Sequence, residues 1–135
     1  MRRKLEDSLR NLQRALEKLE HALTIPKERE LVVEGTIHRF EVLIELFWKT
    51  LKRALEYEGL HANTPRDSVK EAFRIGWLHD EQAWLDMLES RNTTSHTYLA
   101  EELAEENYED IRRVAPILRR AFDDVRARYP EGDSS

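Results

Sequence analysis

The sequence has 135 residues, a length that suits one domain and suffices to bury a real core. Hydrophobic residues make up 40% and charged residues 36%, with only four glycines and four prolines, the balance of a soluble helical chain and not of a strand-and-turn architecture. Cysteine is absent, which excludes a disulfide framework, a thiolate metal site and a cysteine nucleophile; a net charge of −5 argues against non-specific coating of nucleic acid, while leaving room for a small basic pocket.

The N-terminus, MRRKLEDSLR, follows its positive start with an amphipathic segment and not an apolar one, so it does not read as a secretory signal. No stretch is apolar enough to span a bilayer, and a cytoplasmic location is expected. Leu5, Leu9, Leu12, Leu16, Leu19 and Leu23 alternate spacings of four and three, which draws a narrow stripe along a first helix. The stripe faces either the core or a second subunit. Ile25-Pro26 ends this helix, because the residue before proline avoids α geometry.

A second helix is expected from near Glu28 to near Glu58, with Ile37, Phe40, Ile44, Phe47 and Leu51 at spacings of three and four. Its run Val42 to Trp48 is apolar on nearly every side, broken only by Glu45, so it is either central or covered by a partner. Gly59 serves as the C-cap. Asn63-Thr64-Pro65-Arg66-Asp67 opens a short third helix: Thr64 is the N-cap, Pro65 fits the first position and Asp67 completes a capping-box-like pair. Gly76 closes it.

Asp80 caps a fourth helix that carries Trp84, Leu85 and Leu88 and ends near Arg91. Thr93, Thr94 and Ser95 read as a loop or frayed turn. The last helix starts between Leu99 and Glu102 and runs to about Arg128, with Leu103, Tyr108, Ile111, Leu118, Phe122 and Val125 on its apolar side. Acidic residues early and arginines late suit its dipole, and Pro116 should kink it. The expected fold is all-α, an antiparallel four-helix bundle with one additional short helix. Residues 1–130 form a single domain and 131–135 a disordered tail.

The stretch Ser90-Arg91-Asn92-Thr93-Thr94-Ser95-His96-Thr97-Tyr98 carries the chemistry. RNA cleavage without a metal needs a base for the ribose 2′-hydroxyl, and histidine titrates in the right range. It also needs a cation for charge building on the phosphate, and a guanidinium fork fits two phosphate oxygens. Arg91 and His96 supply both, and Asn92 and Ser95 could orient the ring or donate to phosphate. The same residues also admit a plain reading: Arg91 serves a helix C-terminus, or ties two helices together, and His96 is a surface loop histidine.

Arg91-x4-His96-x-Tyr98 resembles the signature of HEPN-domain proteins. The fuller string, with Asn92 and Ser95, is similar to the nucleotidyltransferase substrate-binding protein family within that group. Further segments carry the resemblance: Arg39-Phe40-Glu41, Phe47 to Leu51, Glu56-Tyr57-Glu58-Gly59, Pro65-Arg66-Asp67, Glu71-Ala72-Phe73, and Trp84 to Glu89. Together they span roughly Gly35 to Leu118. The resemblance implies a homodimer, with the Arg–His motifs of two subunits near one another in a cleft. It implies a minimal nucleotidyltransferase as partner and, in toxin–antitoxin versions, metal-independent RNase chemistry with Arg91 and His96 as catalytic residues. The nucleotidyltransferase silences such a protein by transferring AMP to the motif tyrosine, here Tyr98. That adds charge and bulk beside Arg91 and His96. Glu101, Glu102, Glu105 and Glu106 depart from this picture, since they would oppose an RNA backbone unless they point away. A non-catalytic module that binds a nucleotide or substrate and docks the nucleotidyltransferase is the alternative.

No other constellation competes. His21, His38, His61 and His79 are scattered without metal-ligand spacing, so no metal and no cofactor is expected. A Gly-rich phosphate loop and a strand-borne Gly-Ser with paired aspartates are missing, so the chain should not itself be the nucleotidyltransferase. Phe40, Phe47, Trp48, Trp77 and Trp84 read as core or subunit interface. Arg112, Arg113, Arg119 and Arg120 read as a solvated helix face, with RNA or an acidic partner surface as the other option.

Overall fold

Five helices and no strand make up the residues that the structure, a computed structural model, describes: 2–94 and 101–130, with side chains for 2–89 and 104–130. They are α1 (Arg2–Ala22), α2 (Val32–Tyr57), α3 (Pro65–Arg74), α4 (Glu81–Thr94) and α5 (Glu101–Arg128). The tail expected at 131–135 and the side chain of Leu103 lie outside the described residues.

The leucine stripe decides how α1 sits. Leu5, Leu9, Leu12, Leu16 and Leu19 are each at most 1% exposed, and each contributes about 2 kcal/mol by leaving water. Their face packs on α2 and α5 of the same chain, so the stripe faces this chain's own core. Central α2 touches all four other helices. That position accounts for most of its all-round apolarity: Leu43, Ile44, Phe47, Leu51 and Leu55 are buried. Val42 is the exception, 41% exposed on the outer side.

Local chemistry sets most of the helix ends. Gly59 at φ 82 lets the Gly59 N–H donate to Glu56 O (2.9 Å) and the Leu60 N–H to Leu55 O (2.8 Å), which satisfies carbonyls that α2 leaves open. Gly76 at φ 84 closes α3 in the same way, with Trp77 N–H donating to Ala72 O (2.9 Å). Thr64 caps α3: its hydroxyl accepts the Asp67 N–H at 3.0 Å, with Pro65 at the first helical position.

Two expectations change. Helix α2 begins at Val32, four residues beyond Glu28. Arg29 N–H turns back to Pro26 O (3.1 Å), and Leu31 sits at φ 69, a left-handed conformation through which a right-handed helix cannot extend. Helix α4 continues through Thr93 and Thr94, because the helix penalty of a β-branched residue is a fraction of a kcal/mol and is overridden easily. Asp80 stands at the N-cap position of α4, where its backbone carbonyl accepts the first helical N–H, that of Trp84 (3.2 Å), with φ 60 in place of the extended φ usual there. Pro116 stands inside α5, which runs through it without a break, the proline lying on the exposed side.

Candidate functional site

In sequence, the predicted site residues fall between the end of α4 and the start of α5. Arg91 and Asn92 lie on the last turn of α4, which ends at Thr94, and α5 starts at Glu101. Ser95, His96 and Tyr98 fall on 95–100, outside the described residues, as do the side chains of Arg91 and Asn92.

Both flanks of the motif are anchored in the core. Trp84 is 1% exposed and meets Phe47 of α2 edge to face, ring centroids 4.8 Å apart. Met87 and Leu88 are buried with it. On α5, Tyr108 is fully buried and its hydroxyl accepts a hydrogen bond from Arg112 Nη2 at 2.7 Å. Between α2, α4 and α5 lies a cavity of about 320 Å³. Phe40, Met87, Ile111 and Val114 form its apolar wall, and Asp86, Asn107 and Arg113 are polar residues on its lining. Its nearest α4 residue, Met87, stands one turn before Arg91, so a helix rise of about 6 Å separates cavity and motif.

The acidic start of α5 has a counter-charge that the sequence reading missed. Lys27, on the connection after α1, lies 3.1 Å from Glu109 and 3.6 Å from Glu105. Its hydrogen bond to Glu109 and the charge of Glu105 hold the Lys27 pKa above the ordinary lysine value. Glu105 is therefore held toward Lys27 and partly neutralised. Glu106 and Asp110 share the same exposed acidic face. No local signal marked Lys27, because its partners are about eighty residues away in sequence.

The α5 arginines are engaged inside the chain. Arg119 forks onto Glu20 of α1 at 2.9 and 2.5 Å and also meets Asp123 at 3.1 Å. The Glu20 hydrogen bonds raise its pKa further. Arg113 pairs with Asp110 (2.5 Å), Arg120 with Asp124 (3.9 Å), and Arg112 also donates to Leu23 O (3.2 Å). This face fastens α5 to α1 and to its own turns. Among the aromatic residues, Phe40, Phe47, Trp77 and Trp84 are buried, and Trp48 is half-buried with its indole N–H donating to Glu45 (3.3 Å). Among the described residues no group of three or more His, Asp or Glu is gathered as a metal would require, and no helix is long and apolar enough to cross a membrane.

The chain is similar to known proteins. A family model described as nucleotidyltransferase substrate binding protein like matches residues 7–126, a stretch that contains the whole Arg91–Tyr98 motif. A Haemophilus influenzae protein named Probable ribonuclease HepT is 32% identical over 75 residues, covering 52% of this chain and 51% of its own length. The match thus spans about half the length of that relative. A crystal structure of a Thermus thermophilus protein resembles this one with a TM-score of 0.73 and 30% identity, over 89% of this chain and 99% of the other.

Proposed function

Because the chain belongs to the HEPN-type family of nucleotidyltransferase substrate binding protein like proteins, we propose that it is the partner of a minimal nucleotidyltransferase and carries metal-independent endoribonuclease chemistry, as a toxin does, at Arg91 and His96. The observation that supports this is the coincidence of the Arg91-x4-His96-x-Tyr98 motif with the matched stretch, at the junction of α4 and α5. In this reading residues 1–130 are one domain. They form an antiparallel four-helix bundle with α3 as the additional short helix, working as a cytoplasmic homodimer.

His96 takes the proton of a ribose 2′-hydroxyl, and the 2′-oxygen attacks the adjacent phosphorus. The bond to the 5′-oxygen breaks and that oxygen takes up the proton carried by the His96 imidazolium, leaving a 2′,3′-cyclic phosphate, a 5′-hydroxyl and a neutral imidazole, with no water consumed. Arg91 binds the phosphate oxygens as charge builds, and Asn92 and Ser95 orient the imidazole or donate to the phosphate. Silencing is a second transfer. The Tyr98 phenol oxygen attacks the α-phosphorus of ATP held by the nucleotidyltransferase, pyrophosphate leaves, and the attached AMP fills the space RNA needs.

The acidic face of Glu105, Glu106, Glu109 and Asp110 favours a second reading, a non-catalytic module that binds a nucleotide or substrate and docks the nucleotidyltransferase. One experiment separates the two. Intact mass is measured after incubation with the candidate nucleotidyltransferase, ATP and Mg²⁺, wild type beside Tyr98→Phe. The toxin reading expects one or more AMP units on wild type alone. No gain on either, with the complex still formed, overturns it in favour of the binding module.

A further inference from the structure

A second surface stands apart from the motif. Between α1 and α2 a groove of about 300 Å³ opens to solvent, lined on α1 by Arg14, Ala15 and Lys18 and on α2 by Arg39, Val42 and Leu46, with Asn11 and His38 at its rim. None of the described residues that line it is acidic, in a chain with 27 acidic residues and a net charge of −5. Among the described residues Lys18, His38 and Arg39 have no ion pair, and Arg14 has a 3.5 Å hydrogen bond to Asn11. This contrasts with Arg112, Arg113, Arg119 and Arg120 of α5, each held by a carboxylate or carbonyl of the same chain. The floor is apolar, with Val42 41% exposed and Leu46 half-buried.

The shape and chemistry point to one kind of occupant. Lys18 follows Arg14 by one turn, and Val42 and Leu46 are likewise one turn apart, so the groove is about two turns long and shaped by two helix surfaces. A third helix fits such a groove with an apolar ridge on the floor and charged residues on the rim. The rim is cationic, so that helix must be acidic. RNA fits less well, because no aromatic ring lines the groove for a base to stack on. A second copy of this chain also fits less well. Its described acidic face of Glu105, Glu106, Glu109 and Asp110 is lined by carboxylates with no apolar ridge between them.

We propose that the α1–α2 groove is the docking surface for the nucleotidyltransferase, which seats an acidic helix with its apolar ridge on Val42 and Leu46 and its carboxylates on Arg14, Lys18 and Arg39. This rests on the partner named under the proposed function. Val42 lies about 200° around α2 from Phe40, which lines the cavity between α4 and α5. Docking here therefore leaves the motif end uncovered. A partner of about 100 residues, with a radius of gyration of about 13 Å, is broad enough to hold the groove and extend beyond it.

Calorimetric titration of the nucleotidyltransferase into the full chain tests this. Wild type is compared with Arg14→Glu/Lys18→Glu and with Val42→Asp, exposed positions whose folding is checked by circular dichroism. Both variants should weaken the complex about tenfold or more, and wild-type affinity should fall as salt rises. Variants that bind as tightly as wild type overturn the docking surface alone. A wild type that forms no complex overturns this inference and the proposed partner together. Two further results also overturn it. If the variants keep the complex but lose a labelled RNA oligonucleotide, the groove is a nucleic-acid track. If Val42→Asp converts a dimer to a monomer in sedimentation, the groove belongs to a second copy.

Discussion

Replacing Tyr129 by phenylalanine removes one hydroxyl and leaves the ring in place. Tyr129 is 3% exposed, just past the end of α5, and its hydroxyl donates to Glu58 Oε2 at 2.6 Å, joining it to the end of α2. Its ring also packs edge to face against Tyr57 and Trp77, at 5.7 and 6.2 Å. Those ring contacts survive the substitution, so the loss at pH 7 is the hydrogen bond alone. To an exposed carboxylate this is worth about 1 kcal/mol. At an unfolding entropy of about 2.1 cal/mol/K per residue, that lowers Tm by about 3–4 °C.

The pH dependence is the sharper signature. Burial, and then the hydrogen bond to Glu58, raise the Tyr129 phenol above its ordinary value of 10. In the unfolded chain the phenol loses its proton first, so between that value and the folded pKa the native state holds more protons. Stability is fully present below pH 10 and falls above it, approaching about 1.4 kcal/mol per pH unit from this one group. Urea denaturation followed by circular dichroism at pH 7, 9, 10 and 11 measures both effects. Wild type should lose stability above pH 10 faster than Tyr129→Phe, so the two curves converge and then cross. Parallel curves from pH 9 to 11 would refute the argument.

Two glycines should respond in opposite directions. Gly35 lies inside α2 with nothing within 4 Å of an added Cβ, so Gly35→Ala should stabilise by about 0.5–1 kcal/mol. Gly59 has equal room but φ 82, so Gly59→Ala should cost about 1 kcal/mol in backbone strain alone. Thermal melts of the two variants read the difference, and shifts of the same sign would contradict the conformational argument. His96→Ala should abolish cleavage of an RNA oligonucleotide with Tm unchanged; cleavage that survives in the variant would remove His96 as the base.

The sequence by itself determined the helices and most of their ends. Leucine spacing, the threonine–proline start of α3 and the glycines at 59 and 76 act within one or two turns, and turn geometry is a property of the local chain. The motif at Arg91, His96 and Tyr98 is a reading of the sequence alone, because its recognition depends on spacing along the chain. Only the tertiary structure decided which charged faces find partners. Arg119 meets Glu20 across 99 residues, and Lys27 reaches Glu109 across 82, which draws the acidic start of α5 toward the α1–α2 connection. The α1–α2 groove is another such outcome, since Arg14 and Arg39 share a surface only once two helices pack. Periodicity tells a helix which side to bury; the helices packed against it determine which side chains meet across the contact.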